Sequence, residues 1–324
     1  MKFIDLFAGI GGFRLAFEKA GFECVFSSEI NKASQKTYFD NFGEVPYGDI
    51  TKIDPNDIPD FDVLLGGFPC QPFSSSGKKL GFKDTRGTLF FNICEILKVK
   101  NPHCFILENV KNLVHHDAGD TFKTIMLELK ELGYHVCYEI LNARDFGVPQ
   151  NRERIFIIGS KSGYFNFDKM KRVPHTNILS ILEKDNDNSL DPKDYTIINN
   201  QKLQKSGLIF AGYINGEQRK SGVKEGSEHL SRAHRQQNRI YSANGVRQTL
   251  SSQETSGRYF VYIPHKGTVR KLTPTECYRV MGFPDSFKKH PSKTECYKQI
   301  GNTVCPPLIY EMAKIIKRIV SRKY

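Results

Sequence analysis

Nowhere does the 324-residue chain run through the roughly 20 consecutive apolar residues that a membrane-spanning helix requires. Its eight cysteines form no Cys-x-x-Cys pair and no Cys/His cluster at metal-ligand spacing, which argues against a disulfide framework and against structural zinc. There is no internal repeat and no low-complexity tract, so a solenoid or a fibre is not indicated. A signal peptide is also not expected, because Asp5 interrupts the short apolar start Met1–Phe7; the expected location is the cytoplasm. Acids are in deficit: 35 Asp and Glu face 47 Lys and Arg, for a formal net charge of +12.

What is present fits a folded chain with a real core. Hydrophobic residues at 39% and charged residues at 25% match ordinary globular composition, and the length allows a large domain with a smaller one beside it. The basic excess is unevenly placed. Residues 201–272 hold 13 Lys and Arg against 4 Glu and no Asp, so +9 of the +12 falls there. A solvated basic face is the ordinary explanation, but the concentration in one Gly-, Ser-, Gln- and Arg-rich stretch fits a polyanion-binding surface better.

Residues 1–160 alternate strand-like and helical runs. Phe3–Phe7, Phe22–Ser28, Asp62–Leu65, Cys104–Leu107 and Arg154–Gly159 read as strands, and Phe13–Ala20, Lys32–Asn41 and Thr121–Leu132 as helices. This alternation predicts an α/β fold with a mostly parallel sheet covered on both faces, and a ligand at the carboxyl ends of the strands. From about residue 161 the pattern fails, and a smaller, mostly β or irregular domain is expected over 183–272. Order returns at Thr273-Pro274-Thr275-Glu276, a helix start, and a last amphipathic helix is expected from Pro306 to about Val320.

Five segments carry chemistry. Asp5-Leu6-Phe7-Ala8-Gly9-Ile10-Gly11-Gly12 follows the first strand and opens the first helix, where glycines let the backbone approach a ligand; alone, such a turn is often only a turn. Glu29 ends the second strand, placed to accept hydrogen bonds from ribose hydroxyls, although a surface Glu is the commoner case. Gly66-Gly67-Phe68-Pro69-Cys70-Gln71-Pro72-Phe73 is far more specific: a cysteine between a strand end and a polar loop sits on the ligand side of the sheet. A free thiol titrates near ~8.5, so nucleophilic work needs a cationic or dipolar neighbour or a coupled proton transfer. Glu108-Asn109-Val110 ends another central strand and faces the same crevice. In Gln150-Asn151-Arg152-Glu153-Arg154, strand alternation would put Arg152 and Arg154 on one face, with local salt bridging as the plainer alternative.

Taken in order, and with Arg270–Pro284 and Gly301-Asn302-Thr303-Val304 added, these segments resemble the motif set of the DNA cytosine C5-methyltransferase family, small restriction–modification type, from Phe3 to Val304. The resemblance implies a Rossmann-like methyltransferase sheet with a target-recognition domain: 1–182 plus 301–324 catalytic, 183–272 recognising the target, and 273–300 a hinge. It implies S-adenosylmethionine as cofactor, S-adenosylhomocysteine as product, and no metal. The cofactor would be held by Phe7, Gly9, Ile10, Gly12, Glu29, Ile30, Asp49, Ile50, Pro69, Leu89, Asn302 and Thr303. Cys70 would attack C6 of a flipped cytosine, Glu108 would hydrogen-bond N3 and the exocyclic amine, Arg154 would bind O2, and Arg152 would help to hold the nucleotide. Double-stranded DNA would be contacted by Gln71, Ser74, Ser76, Arg235, Gln236, Gln237, Arg239, Tyr241, Thr249 and Arg258, with Arg232 and Arg247 as further candidates. A monomer paired with a restriction nuclease of the same specificity is the expected setting. Two rivals are an RNA methyltransferase, which would carry a Cys-Phe-Thr tripeptide that this chain lacks, and a DNA-binding protein that has lost catalysis.

Overall fold

The computed structural model describes residues 1–69, 89–184, 186, 188–215, 226 and 229–321. Cys70, Gln71, Ser74 and Ser76 therefore lie outside the described residues. The chain divides into two compact units. The first comprises Met1–Leu141, Glu153–Lys171 and Thr303–Tyr324; the second comprises Asn142–Arg152 and Arg172–Asn302.

In chain order the strands are β1 (Lys2–Leu6), β2 (Glu23–Ser28), β3 (Val63–Gly67), β4 (Cys104–Val110), β5 (His135–Asn142), β6 (Gln150–Asn151) and β7 (Glu153–Ser160). There follow β8 (Tyr195–Ile197), β9 (Phe210–Ile214), β10 (Arg239–Ser242), β11 (Arg247–Gln248), β12 (Phe260–Ile263) and β13 (Thr268–Lys271). The helices are α1 (Gly12–Lys19), α2 (Lys32–Phe42), α3 (Leu89–Lys100), α4 (Asp120–Glu131), α5 (Pro274–Val280), α6 (Lys293–Asn302) and α7 (Pro306–Ser321).

The first unit is built on a six-stranded sheet in the order β2-β1-β3-β4-β7-β5. β1 pairs in parallel with β2 and β3, and β3 with β4, as strand–helix alternation predicts. The sheet is mostly parallel, as expected, with one departure: β7 runs antiparallel to β4. The run Ile155–Ile158 is apolar throughout, so the pattern alone carries no sign of the reversal. Ile4, Leu6, Leu64, Phe105, Leu107, Ile155 and Ile157 from the strands pack with Phe90, Ile93, Leu97, Ile125 and Leu129 from the helices. Each such buried side chain contributes about 1.5–3 kcal/mol. Helix α7 buries Leu308, Met312, Ile315 and Ile316 and packs beside α1. Lys317 Nζ closes the pair by donating to the carbonyl of Ala20 at 2.7 Å.

The second unit holds a five-stranded sheet in the order β13-β12-β10-β9-β8, together with a two-stranded parallel pair of β6 and β11. Alternation sends Phe210 and Tyr241 into one cluster with Leu208 and Val246, and Ala211 and Ile240 into another with Phe260 and Val269. Helix α5 opens with a reciprocal cap between Thr273 and Glu276. The same carboxylate takes two charge-assisted bonds from the buried Arg270 guanidinium, at 2.8 and 2.6 Å.

Candidate active site and target-recognition segment

The turn from β1 into α1 is shaped by backbone that ordinary side chains resist. Phe7 has φ +56°, Gly9 +57° and Gly11 +85°. Glycine meets the last two without penalty; Phe7 does not, and a strained non-glycine residue at a strand end is a mark of a working site. A Cβ on Gly9 would meet nothing within 4 Å, so the turn is open on that side. Gly12 is hemmed in instead: a Cβ there would stand 2.5 Å from Thr303 Oγ1 and 3.2 Å from the Val304 carbonyl. Thr303 and the glycine turn are thus brought together across the length of the chain.

Glu29 is clamped by this turn. The Gly9 amide donates to its Oε2 at 2.8 Å and the Asn31 amide to its Oε1 at 2.7 Å. Each carboxylate oxygen keeps a second lone pair for an outside donor. Ile30 follows with 68% of its surface exposed, an apolar face with room to cover a planar ring. Asp49 caps a short helical turn by accepting from the Thr51 amide and hydroxyl, and these bonds hold its carboxyl below the usual range. Ile50 stands beside Asp49. Its side chain is buried in the core, leaving only its main chain to offer a ligand. Phe7 and Leu89 are half-buried against the same core, Ile10 is buried, and Pro69 is exposed. Asn302, the last residue of α6, is exposed and belongs to the second unit.

At the neighbouring strand ends the register sets Gly67 beside Glu108, and Val110 beside Arg154. Glu108 Oε1 lies 3.1 Å from Arg154 Nε, with both side chains mostly buried. Asn109 Nδ2 donates to the Phe68 carbonyl at 2.9 Å, tying the acid-bearing strand to the backbone two residues before Cys70. A carboxylate and a guanidinium presented together make a pair of complementary hydrogen-bonding edges, which suits a polar heterocycle carrying both donors and acceptors.

Arg152 corrects the alternation argument. It lies between β6 and β7 and in neither strand. Its buried guanidinium donates to the carbonyls of Leu250 at 3.2 Å and Gly301 at 3.1 Å, so it is spent on holding backbone together.

The recognition candidates in the second unit sort by burial. Arg235, Gln236 and Arg258 are exposed, while Gln237 and Arg239 are half-buried. Arg258 Nε pairs with Glu254 at 3.3 Å. Tyr241 is a correction: its ring is in the core and its hydroxyl donates to Gln248 Oε1, so it presents no face to a duplex. Thr249 spends its hydroxyl on the Asn151 carbonyl. Arg247 is likewise buried, set over the rings of Tyr241 and Tyr259 at 5.2 and 5.3 Å.

Sequence reasoning missed the polar network beneath the glycine turn. Arg14 pairs with Glu18 and Glu44, each at 2.6 Å, donates to the Tyr38 hydroxyl, and lies over the Phe42 ring. Asp5 is fully buried with neither oxygen hydrogen-bonded among the described residues. Burial pushes its carboxyl well above the usual range, against the pull of Arg14. The only sequence signal was an acid inside an apolar strand.

Comparison with known proteins then decides the family. The family model for C-5 cytosine-specific DNA methylase matches residues 1–318. The Type II methyltransferase M.HhaI of Haemophilus parahaemolyticus is 43% identical over 94% of this chain and 90% of its own length. The Type II methyltransferase M1.ScrFI of Lactococcus lactis subsp. cremoris is 44% identical over 99% of this chain and 79% of its own. The chain belongs to the C-5 cytosine-specific DNA methylase family. It is a DNA cytosine C5-methyltransferase, and its cofactor is S-adenosylmethionine.

Among solved structures, S. pombe Dnmt2 methyltransferase superposes with a TM-score of 0.71 at 19% identity, covering 100% of this chain and 99% of that one. A putative DNA modification methyltransferase from an E. coli prophage gives 0.68 at 21%, covering 99% of each chain. Both establish the α/β methyltransferase fold with its separate second sheet. The residues of this methyltransferase's first unit suit the cofactor: an open glycine turn, a clamped carboxylate at the end of β2 and an exposed Ile30 beside it. Among the described residues no group of His, Cys, Asp and Glu has the arrangement of a metal site, and no helix is long and apolar enough to cross a membrane.

Proposed function

We propose that the enzyme methylates one cytosine within a short duplex sequence after that base leaves the helix stack, through a covalent bond between Cys70 and C6. The observation that carries this reading is the Glu108–Arg154 pair at the end of β4, laced by Asn109 to the backbone leading into Cys70. Glu108, carrying a proton, donates to N3 and accepts from the exocyclic amine, which draws electron density from the ring as the thiolate adds to C6. Arg154 holds O2. The attack makes C5 nucleophilic; after methylation, loss of the C5 proton returns the electron pair and expels the thiol. Extruding the base costs a few kcal/mol, which phosphate contacts from the basic second unit offset.

Six of the other seven cysteines support Cys70 by their surroundings. Burial pushes the Cys24 and Cys104 thiols up to about 12 and raises those of Cys94, Cys137, Cys277 and Cys296, so none is poised as a thiolate. S-adenosylmethionine, when bound, supplies the methyl group from its sulfonium sulfur. Glu29 would take the ribose hydroxyls, with Ile30 and Phe7 against the base, Asp49 and the Ile50 main chain at its polar edge, and Gly9, Ile10, Gly12, Pro69, Leu89 and Thr303 around the rest. Arg152 acts through the backbone it binds.

Functionally we divide the chain into a catalytic part, 1–182 with 301–324, a recognition part, 183–272, and a returning segment, 273–300. Gln71, Ser74 and Ser76 would follow the duplex near the reacting base. Arg235, Gln236, Gln237, Arg239 and Arg258 would contact it from the recognition part, with Thr249 a contact through its main chain. The setting we propose is a cytoplasmic monomer that protects host DNA against a nuclease of the same specificity. Tritiated methyl transfer, followed by bisulfite sequencing of DNA from an expressing host, tests the reaction and names the site. For Cys70→Ala the expected result is loss of transfer with cofactor binding retained. More than trace turnover in that variant contradicts the assigned nucleophile.

A further inference from the structure

Residues 231–239 make two short helical turns, Ser231–Ala233 and Gln236–Asn238, with His234 between them. His234 is buried, unlike its exposed neighbour Arg235. Its ring lies 3.9 Å from the Tyr213 ring with 14° between the planes, and it also stacks at 5.9 Å on Phe210. Both aromatics are on β9. The His234 carbonyl accepts a hydrogen bond from Arg239 Nε at 3.1 Å. Arg239 in turn opens β10 directly opposite Tyr213 in the strand register.

These three contacts close a triangle. His234 is fixed to Tyr213 by stacking, Arg239 to Tyr213 by strand pairing, and Arg239 to His234 by a hydrogen bond. The four residues between, Arg235 to Asn238, are pinned at both ends, and the Asn238 amide bonding the Arg235 carbonyl at 2.9 Å fixes the turn itself. The loop presents Arg235 and Gln236 to solvent from a base held at both ends.

We propose that His234 is a positioning residue for target recognition: its stack on Tyr213 holds the Arg235–Asn238 loop in its DNA-reading shape before DNA arrives. The inference rests on the reading that this loop contacts the duplex. Ordering rotamer-rich side chains on binding is costly, so a loop set in advance gains affinity and discrimination without any new contact.

The test uses the full chain and a duplex carrying the site found by bisulfite sequencing, with a scrambled duplex as reference. His234→Ala should weaken binding to the site duplex about tenfold and narrow its preference over the scrambled one, while affinity for S-adenosylhomocysteine stays unchanged. His234→Phe, which keeps the stack and the carbonyl, should restore site binding to within about twofold. Unchanged site affinity in His234→Ala, or a loss in His234→Phe as large as in His234→Ala, overturns the positioning role. A fall in cofactor affinity alongside DNA affinity in His234→Ala would mark general damage and also overturn it. Arg235→Ala and Gln236→Ala separate the two layers. If both bind the site duplex as the parent does, the loop is not a DNA contact; if they weaken binding while His234→Ala does not, only the positioning inference fails.

Discussion

The glycine turn at Phe7–Gly12 and the loop at Arg235–Asn238 both hold groups ready for a ligand, and they do so by opposite means. At the turn, backbone does the presenting: left-handed residues at 7, 9 and 11, and amides that clamp Glu29. At the loop, side chains do it. An aromatic stack and a guanidinium–carbonyl bond fix the ends, and exposed side chains face outward. A site made of backbone restricts which residues can occupy it. A site made of side chains restricts only what those side chains touch, and leaves the rest free to vary with the target.

The difference can be broken at several points, the largest effect first. Glu108→Gln replaces an acceptor with an amide that can still bond Arg154 poorly, and the single-turnover methylation rate should fall about 10²–10⁴-fold with DNA affinity little changed. A rate within about threefold of the parent would remove Glu108 from the chemistry. Gly12→Val drives a branched side chain into Thr303 and the Val304 carbonyl, and overpacking of this kind costs about 1–3 kcal/mol. Calorimetry should show lost cofactor affinity and a lower Tm, with the scrambled-duplex affinity unaffected. Equal loss on both ligands would mean that the turn is a general scaffold.

In the second unit, two arginines make a matched pair. Arg258 is exposed and Arg247 is buried between tyrosines. Arg258→Ala should reduce the salt slope of DNA binding by about 1, whereas Arg247→Met should leave the slope alone and shift Tm instead. Reversed behaviour would mean that Arg247 reaches the duplex after all. The smallest effect belongs to Asp5. Its folded carboxyl titrates above its unfolded value, so the folded state binds the proton more tightly. Stability is fully present below the unfolded pKa and declines as pH rises from there through the folded one. Asp5→Asn should flatten that decline in Tm measured against pH; an unchanged slope would place the loss elsewhere.

This contrast also explains what was legible in the sequence. Most first-unit strands and helices, the glycine turn, Glu29 and Glu108 were readable because periodicity and strand ends are local properties. Helices α3 and α6 and strand β5 carry a weaker pattern: α3 is apolar on most of its faces, α6 is mostly polar, and β5 buries few of its residues fully. The antiparallel β7 left no mark on its own residues. Arg152, Tyr241 and Arg247 were misplaced for one reason: polar or amphipathic side chains near a basic stretch look exposed until long-range packing buries them. His234 and the Arg14 network had little signal, because the partners Tyr213 and Glu44 lie 21 and 30 residues away in sequence.

The central claim is that Cys70 is the nucleophile. A site duplex carrying 5-fluorocytosine at the methylated position, incubated with enzyme and S-adenosylmethionine, has no C5 proton to lose and should trap the adduct. Peptide mass mapping is predicted to find the nucleotide on Cys70, with none trapped by Cys70→Ala. An adduct on any of the other seven cysteines, or none in the parent enzyme, would contradict the account.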